Sequence, residues 1–397
     1  MNFTASAGVS TVARRSPVVL ALLALVTLYS FLRGQRDGPE WAGEFYYVID
    51  YGDGLIRRGL IGQIFLFFFN RSEAPKIFAV AVLAHRLISI ALMFCLLAWC
   101  WGQLNAPRRF TPGRLGLIYL CFTAGQFLPT LAATNTYLDA YVFLLLAAAF
   151  GLVAAGWEGA AIGLGLLGPF VHEMFVFLWA SLAVMVLWRD GIASLKTPAR
   201  LFLCVCPLLS WALIQHFSSA DAVARQLAKA PLSRSITDVA LHGQLGQTVG
   251  DDLRIMAGLY TVHFTRAVCS IVAFVLPTLA MLGLALAALA PRERAFLAIG
   301  SLLPLVIIIL EWDLSRFVVV TQFVCLLCVL FMASRPGARV DRPVGRKVWL
   351  AASPVLAIAL LLPLIYGYFD RTDWVTNAVL DGLPVVGERL RALYPGA

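Results

Sequence analysis

Charge is scarce in this chain. Asp, Glu, Lys and Arg make up 13% of its 397 residues, while 60% are hydrophobic and the mean hydropathy is +0.83. That shortage excludes an ordinary soluble domain, which carries about 25% charge and would here leave too much apolar surface in water. A disulfide framework is also excluded. The eight cysteines (Cys95, Cys100, Cys121, Cys204, Cys206, Cys269, Cys325 and Cys328) all fall inside apolar runs, where Cys behaves as a small hydrophobe. Cys325 and Cys328 have CxxC spacing but no second pair, so metal or redox work is not expected of them. His172-Glu173 has no second His to complete a zincin motif. There is no repeat of 20–50 residues and no low-complexity tract. No motif for nucleic-acid binding accompanies the net charge of +9, so nucleic acid is not an expected partner. The surplus reads instead as Lys/Arg-rich cytoplasmic connections.

What is present is a series of long apolar runs, and a run of about 18 or more such residues reads as a transmembrane helix. The expected fold is all-α: a polytopic helix bundle of about eleven spans that includes a short broken pair. Arg14 and Arg15 precede the first run, which is read as a retained first span near 16–33 with a cytoplasmic N-terminus. The stretch 60–69 is too short to cross and reads as an interfacial or re-entrant helix. Further spans are expected near 77–101, 115–133, 138–156, 199–217, 266–290, 295–310, 317–333 and 348–368. The run 159–188 admits one long helix or two short ones meeting near 169–173. Two are preferred, because Gly159, Gly163, Gly165, Gly168 and Pro169 suit a break, and because two return Arg189, Lys196 and Arg200 to the cytoplasm. The chain divides into an N-terminal transmembrane module (1–217) containing a first outer loop (34–76), an outer loop (218–265), C-terminal spans (266–368) and an outer amphipathic tail (369–397).

Under this topology the polar residues fall unevenly. The first outer loop breaks the positive-inside bias with Arg33, Arg36, Arg57 and Arg58. Asp50 and Asp53 are three apart, so a helical turn would put them on one face, suited to a general base and an orienting partner. Arg57-Arg58 suit a phosphate, which guanidinium matches bidentately; a loop closed by its own ion pairs is the plainer alternative. Asn135 and Asp139 sit at an outer turn, where capping explains Asn135 better than Asp139. His172 and Glu173 lie inside an apolar run, and intramembrane ionisable groups default to functional hypotheses. Glu311, Asp313 and Arg316 crowd another outer turn, where a locally paired turn is the alternative. His85-Arg86, His216, His242, His263 and Arg266 also fall in the outer half. Tyr46, Tyr47, Tyr51 and Trp312 read as interfacial anchors or as sugar-facing rings.

A cytoplasmic N-terminus, a first span, an acidic outer loop with interfacial helices, and many spans with short outer turns resemble the GT-C superfamily of membrane glycosyltransferases. The segment Asp50-Tyr-Gly-Asp-Gly-Leu-Ile-Arg-Arg-Gly-Leu-Ile-Gly62, with His172-Glu173 and Trp312-Asp-Leu-Ser-Arg316, also resembles bacterial polytopic proteins of surface-polysaccharide synthesis. The resemblance implies a glycosyltransferase in a bacterial inner membrane, with its active face periplasmic. The donor would be a sugar on a polyprenyl phosphate and the acceptor a glycan or glycolipid. By position the catalytic acidic role falls on Asp50 or Asp53. Arg57, Arg58 and Arg316 would bind the donor phosphate, and Asn135, Asp139, His172, Glu173, Glu311 and Asp313 would line the cavity. There is no Asp-x-Asp in the loop, only Asp-x-x-Asp, so no cofactor or bound metal is assigned and dependence on a divalent metal stays open. Inversion and retention stay open too, as does a polymerase of the same chemistry. From another class, a secondary transporter or a flippase for lipid-linked glycans also has broken helices and intramembrane charge. A non-enzymatic envelope scaffold is the third reading.

Overall fold

The computed structural model describes residues 17–34, 41–53, 55–105, 109–134, 137–218, 220–230, 232, 237, 254, 257–258, 274–309, 314–335 and 344–361. All regular structure among them is helical. The α-helices are α1 (Pro17–Leu32), α2 (Gly59–Phe68), α3 (Ala74–Asn105), α4 (Pro112–Ala124), α5 (Phe127–Ala133), α6 (Asp139–Ala155), α7 (Glu158–Val171), α8 (Met174–Asp190), α9 (Pro198–Phe217) and α10 (Ala220–Ala228). They continue with α11 (Phe274–Leu286), α12 (Pro291–Leu302), α13 (Leu314–Ala333) and α14 (Arg346–Leu361). Short 3-10 turns occupy Trp41–Tyr47, Arg71–Glu73, Ile192–Lys196 and Leu303–Ile309.

Among the described residues three stretches are long and apolar enough to cross a membrane: Arg71–Asn105, Pro112–Ala133 and Pro198–Phe217. These three coincide with the spans expected near 77–101, 115–133 and 199–217. Other strongly apolar helices, such as α1, α6 and α7, are shorter than a standard crossing. α3 has 32 residues, so at 1.5 Å per residue it is about 48 Å long and exceeds a hydrocarbon core of about 30 Å. The outward faces stay apolar, as Leu22, Leu25, Leu83, Leu87 and Phe94 are exposed. Such a surface is suited to lipid rather than water.

Polar contacts give the helix directions. Thr27 Oγ1 lies 3.0 Å from the Tyr119 hydroxyl, Ser30 donates to the Thr123 carbonyl at 2.5 Å, and Arg33 donates to the Gly125 carbonyl at 2.7 Å. The contacts rise together along both chains, so α1 and α4 run parallel. α4 stops at Gly125 and α5 restarts two residues later. The freed amides of Gln126 and Phe127 donate to Gln322 Oε1 at 3.0 and 3.1 Å, and Gln322 donates in turn to the Phe274 carbonyl at 3.1 Å. A fully buried Gln in the apolar α13 thus satisfies a broken helix.

The run 159–188 forms two helices. His172 is extended (φ −161°, ψ 134°) and separates α7 from α8. Pro169 and Gly168 precede the break. Gly165 packs against Cys206 and Trp179, and Gly168 against the Phe175 ring, leaving no room for a Cβ. The start of α7 and the end of α8 meet through Arg189, whose Nη2 is 2.6 Å from both Glu158 and Asp190. Arg200, in the first turn of α9, pairs with the same two carboxylates. Arg189 and Arg335 both donate to the Val153 carbonyl at 3.0 Å. Arg109 pairs with Glu293 and lies over the Trp188 ring at 4.9 Å. This is the arginine-rich end of the bundle. Residues 41–73, 137–139, 172–173 and 215–230 belong to the opposite end.

Candidate functional site

The first loop is packed backbone to backbone. Phe45, Tyr46, Tyr47, Val48 and Ile49 are fully buried, with the Tyr47 ring edge-on to Phe65 of α2 at 4.9 Å. A Cβ on Gly62 would sit 1.8 Å from the Ile49 carbonyl oxygen. Only glycine lets α2 lie this close against the loop. α2 then presents Ile64, Phe67 and Phe68 outward, in keeping with an interfacial helix.

Arg58 immediately precedes α2 and has φ 59° and ψ 17°, the only positive φ of a non-glycine residue among the described residues. That conformation costs an L-residue about 1–2 kcal/mol, so the side chain there must be held by its surroundings. Its Nε is 2.8 Å from Glu173 Oε2 and 3.1 Å from Oε1, and its Nη2 closes a second bond to Oε1. Nη1 donates to the Tyr46 hydroxyl at 2.6 Å, and the guanidinium lies 5.5 Å from the Tyr46 ring centroid. Arg58 is 5% exposed. This is a forked, buried ion pair joining the first loop to the α7–α8 break. Beside it, His172 Nδ1 accepts from the Met174 amide at 3.2 Å and stands 3.6 Å from Glu173 Oε2. Arg57 donates to Gln215 near the end of α9.

Asp50 and Asp53 do not share a helical face. Residues 51–53 form a bend and turn, and Asp50 Oδ1 accepts from the Gly52 amide at 2.8 Å, the side-chain turn that Asp favours. Asp50 Oδ2 is 2.8 Å from Arg71 Nη2. Gln226 of α10 grips the same residue: its Oε1 accepts from the Asp50 amide at 2.7 Å, and its Nε2 donates to Oδ1 at 2.7 Å and to the backbone oxygen at 3.0 Å. Asp53 faces Lys229, just past α10, at 2.9 Å, and that hydrogen-bonded ammonium holds its carboxyl below the usual range. α10 seats Ala222, Val223, Gln226 and Leu227 inward, and so spans both carboxylates.

Asp139 opens α6 and is 2% exposed. A carboxylate is favoured at a helix N-terminus. Asp50, Asp53, Arg57, Arg58, Asp139, His172 and Glu173 thus all lie at the end of the bundle opposite the arginine-rich one. Asn135, Glu311 and Asp313 lie outside the described residues, as does the side chain of Arg316. Arg71, Gln215, Gln226 and Lys229 are the additions the structure makes. Gln226 and Lys229 had a sequence signal, in that the loop after 217 is polar enough for a short helix; Arg71 and Gln215 had none. Among the described residues no three His, Cys, Asp or Glu side chains gather to hold a metal ion. No family model matches the chain, nor does any curated protein or solved structure.

Proposed function

We propose that this chain is a membrane glycosyltransferase using a polyprenyl-phosphate-linked sugar, in surface polysaccharide or glycolipid synthesis. The carrying observation is that two carboxylates, two arginines and an intramembrane Glu, scattered over more than a hundred residues, gather at one end of an apolar helix bundle. Asp50 or Asp53 takes the proton of the attacking hydroxyl. Arg57 stabilises the phosphate leaving group as charge develops on it. Arg58 acts from behind, since its fork is filled by Glu173, and sets the position of Arg57. The arginine-rich end is the cytoplasmic one under the positive-inside rule, which makes the opposite end periplasmic. This reading keeps a bundle of about eleven crossings.

The test uses cells lacking the gene and complemented with the wild-type chain, Asp50→Asn or Asp53→Asn, with membrane abundance measured alongside. Mass spectrometry of surface glycans and lipid-linked intermediates is the readout. Glycosyl transfer predicts a missing sugar and an accumulated lipid-linked precursor in a variant that inserts normally. Wild-type glycans from both variants would remove the catalytic role of the loop and favour a transporter or scaffold. Asp53→Asn is the cleaner arm, because Asp50 also bonds Arg71 and Gln226.

A further inference from the structure

α10 reaches the first loop from the end of α9. Ser218 closes α9 in an extended conformation (φ −71°, ψ 134°), and α10 begins at Ala220. It has nine residues, too few for a helix to be stable by itself. Ala222, Val223, Gln226 and Leu227 are buried, while Asp221, Arg225 and Ala228 are exposed. No other helix packs along it among the described residues. Its apolar face is small, so its polar bonds to the loop carry much of its seating. Those bonds occupy Asp50. Oδ1 accepts from the Gly52 amide, and Gln226 Nε2 at 2.7 Å is its second donor. A carboxylate oxygen has two lone-pair sites, so Oδ1 has none left for the proton of an incoming hydroxyl. Oδ2 takes Arg71 Nη2. Lys229 lies against both oxygens of Asp53 at 2.9 and 3.2 Å.

We infer that α10 is a latch on the first loop: seated, it closes Asp50 and Asp53 with Gln226 and Lys229, and it lifts from the loop to admit the acceptor hydroxyl. The inference rests on the glycosyl-transfer reading for the identity of that hydroxyl. Lifting α10 takes Gln226 and Lys229 away together. Asp50 then keeps its bonds to Gly52 and Arg71, which hold the carboxylate in place with one lone pair of Oδ1 open. The hydroxyl donates where Gln226 Nε2 did, so a seated α10 and an acceptor at Asp50 exclude one another. The seated helix also keeps water off that lone pair, which protects an activated donor from hydrolysis while no acceptor is bound.

The test is residue-resolved hydrogen exchange and carbodiimide footprinting of carboxyl groups, both on the full chain in nanodiscs. In the wild type the Asp50 amide, which donates to Gln226, is expected to exchange in step with α10. The Val48 amide, bonded to the Phe45 carbonyl within the loop, is expected to stay protected, the pattern of one unit opening locally. Gln226→Leu should speed both the exchange of α10 and the labelling of Asp50 by about tenfold, with α9 unchanged. Should that variant fail to insert, the wild-type exchange decides. An α10 as protected as α9, or Asp50 and Val48 opening together, overturns the latch. So does unchanged labelling of Asp50 in Gln226→Leu. The two readings fail separately: those exchange results sink the latch whatever the glycans show, and wild-type glycans from both Asp50→Asn and Asp53→Asn sink the transfer reading however α10 moves.

Discussion

The two ends of the bundle solve the same problem differently. At the arginine-rich end the chain reverses at Gly156 (φ 88°) and again at Gly191 (φ 82°), where glycine enters the left-handed region without strain. Charges there are shared: Glu158 and Asp190 each serve both Arg189 and Arg200, and the side chains are partly exposed. At the opposite end the left-handed residue is an arginine, nearly buried, with its carboxylate partner 115 residues away. Where the fold needs only a turn it uses glycine. At position 58 it accepts strain to keep a guanidinium. That contrast marks the first end as helix closure and the second as the place where particular side chains matter.

The largest expected effect tests that reading directly. Arg58→Ala leaves Glu173 buried without its partner, and breaking a buried pair this way costs about 3–5 kcal/mol. Thermal unfolding and membrane abundance should both fall, and Arg58→Lys should rescue them only in part because Lys lacks the fork. Arg58→Gly relieves the backbone but still loses the pair, so it should remain well below wild type. Gly156→Ala at the other end should cost about 1–2 kcal/mol from backbone strain alone, since a Cβ there meets open space. Arg200→Gln should cost under about 1 kcal/mol, because the pairs are partly exposed and Arg189 still bonds both Glu158 and Asp190. If Arg200→Gln proved as damaging as Arg58→Ala, the distinction between the ends would collapse.

How much of this was legible depends on whether the cause was local. Apolar runs and the Gly/Pro cluster at 159–169 are local signals, and they located the helices and the α7–α8 break. The spacing of Asp50 and Asp53 was also local, but it misled. A three-residue separation implies a shared face only inside a helix, and the Asp50 side chain bonds Gly52 in a turn instead. Partners were not legible. Nothing in the sequence near Arg58 names Glu173, and nothing near Asp50 names Gln226, because those pairs depend on which helix ends meet. The other helix breaks were not legible either, for a similar reason. Gln322, about two hundred residues away, lets α4 and α5 break without an orphaned amide, and residues 303–309 tighten to a 3-10 turn.

The smallest expected effect sharpens the comparison within the opposite end itself. Asp53 and Lys229 form an exposed pair, unlike Arg58 and Glu173. The ammonium hydrogen bond depresses the folded-state pKa of Asp53. A depressed carboxyl contributes stability above its unfolded pKa and loses it as pH falls through the folded value. The contribution is therefore present at neutral pH and lost in acid, below the ordinary Asp range. Lys229→Gln should return the Asp53 titration toward the ordinary value, read by carboxyl-carbon NMR, and should barely move the thermal midpoint because solvent screens the pair. If Lys229→Gln unfolded the chain as Arg58→Ala is expected to, Asp53 would belong to the strained core of this end. It would then no longer be a carboxylate held ready at its surface.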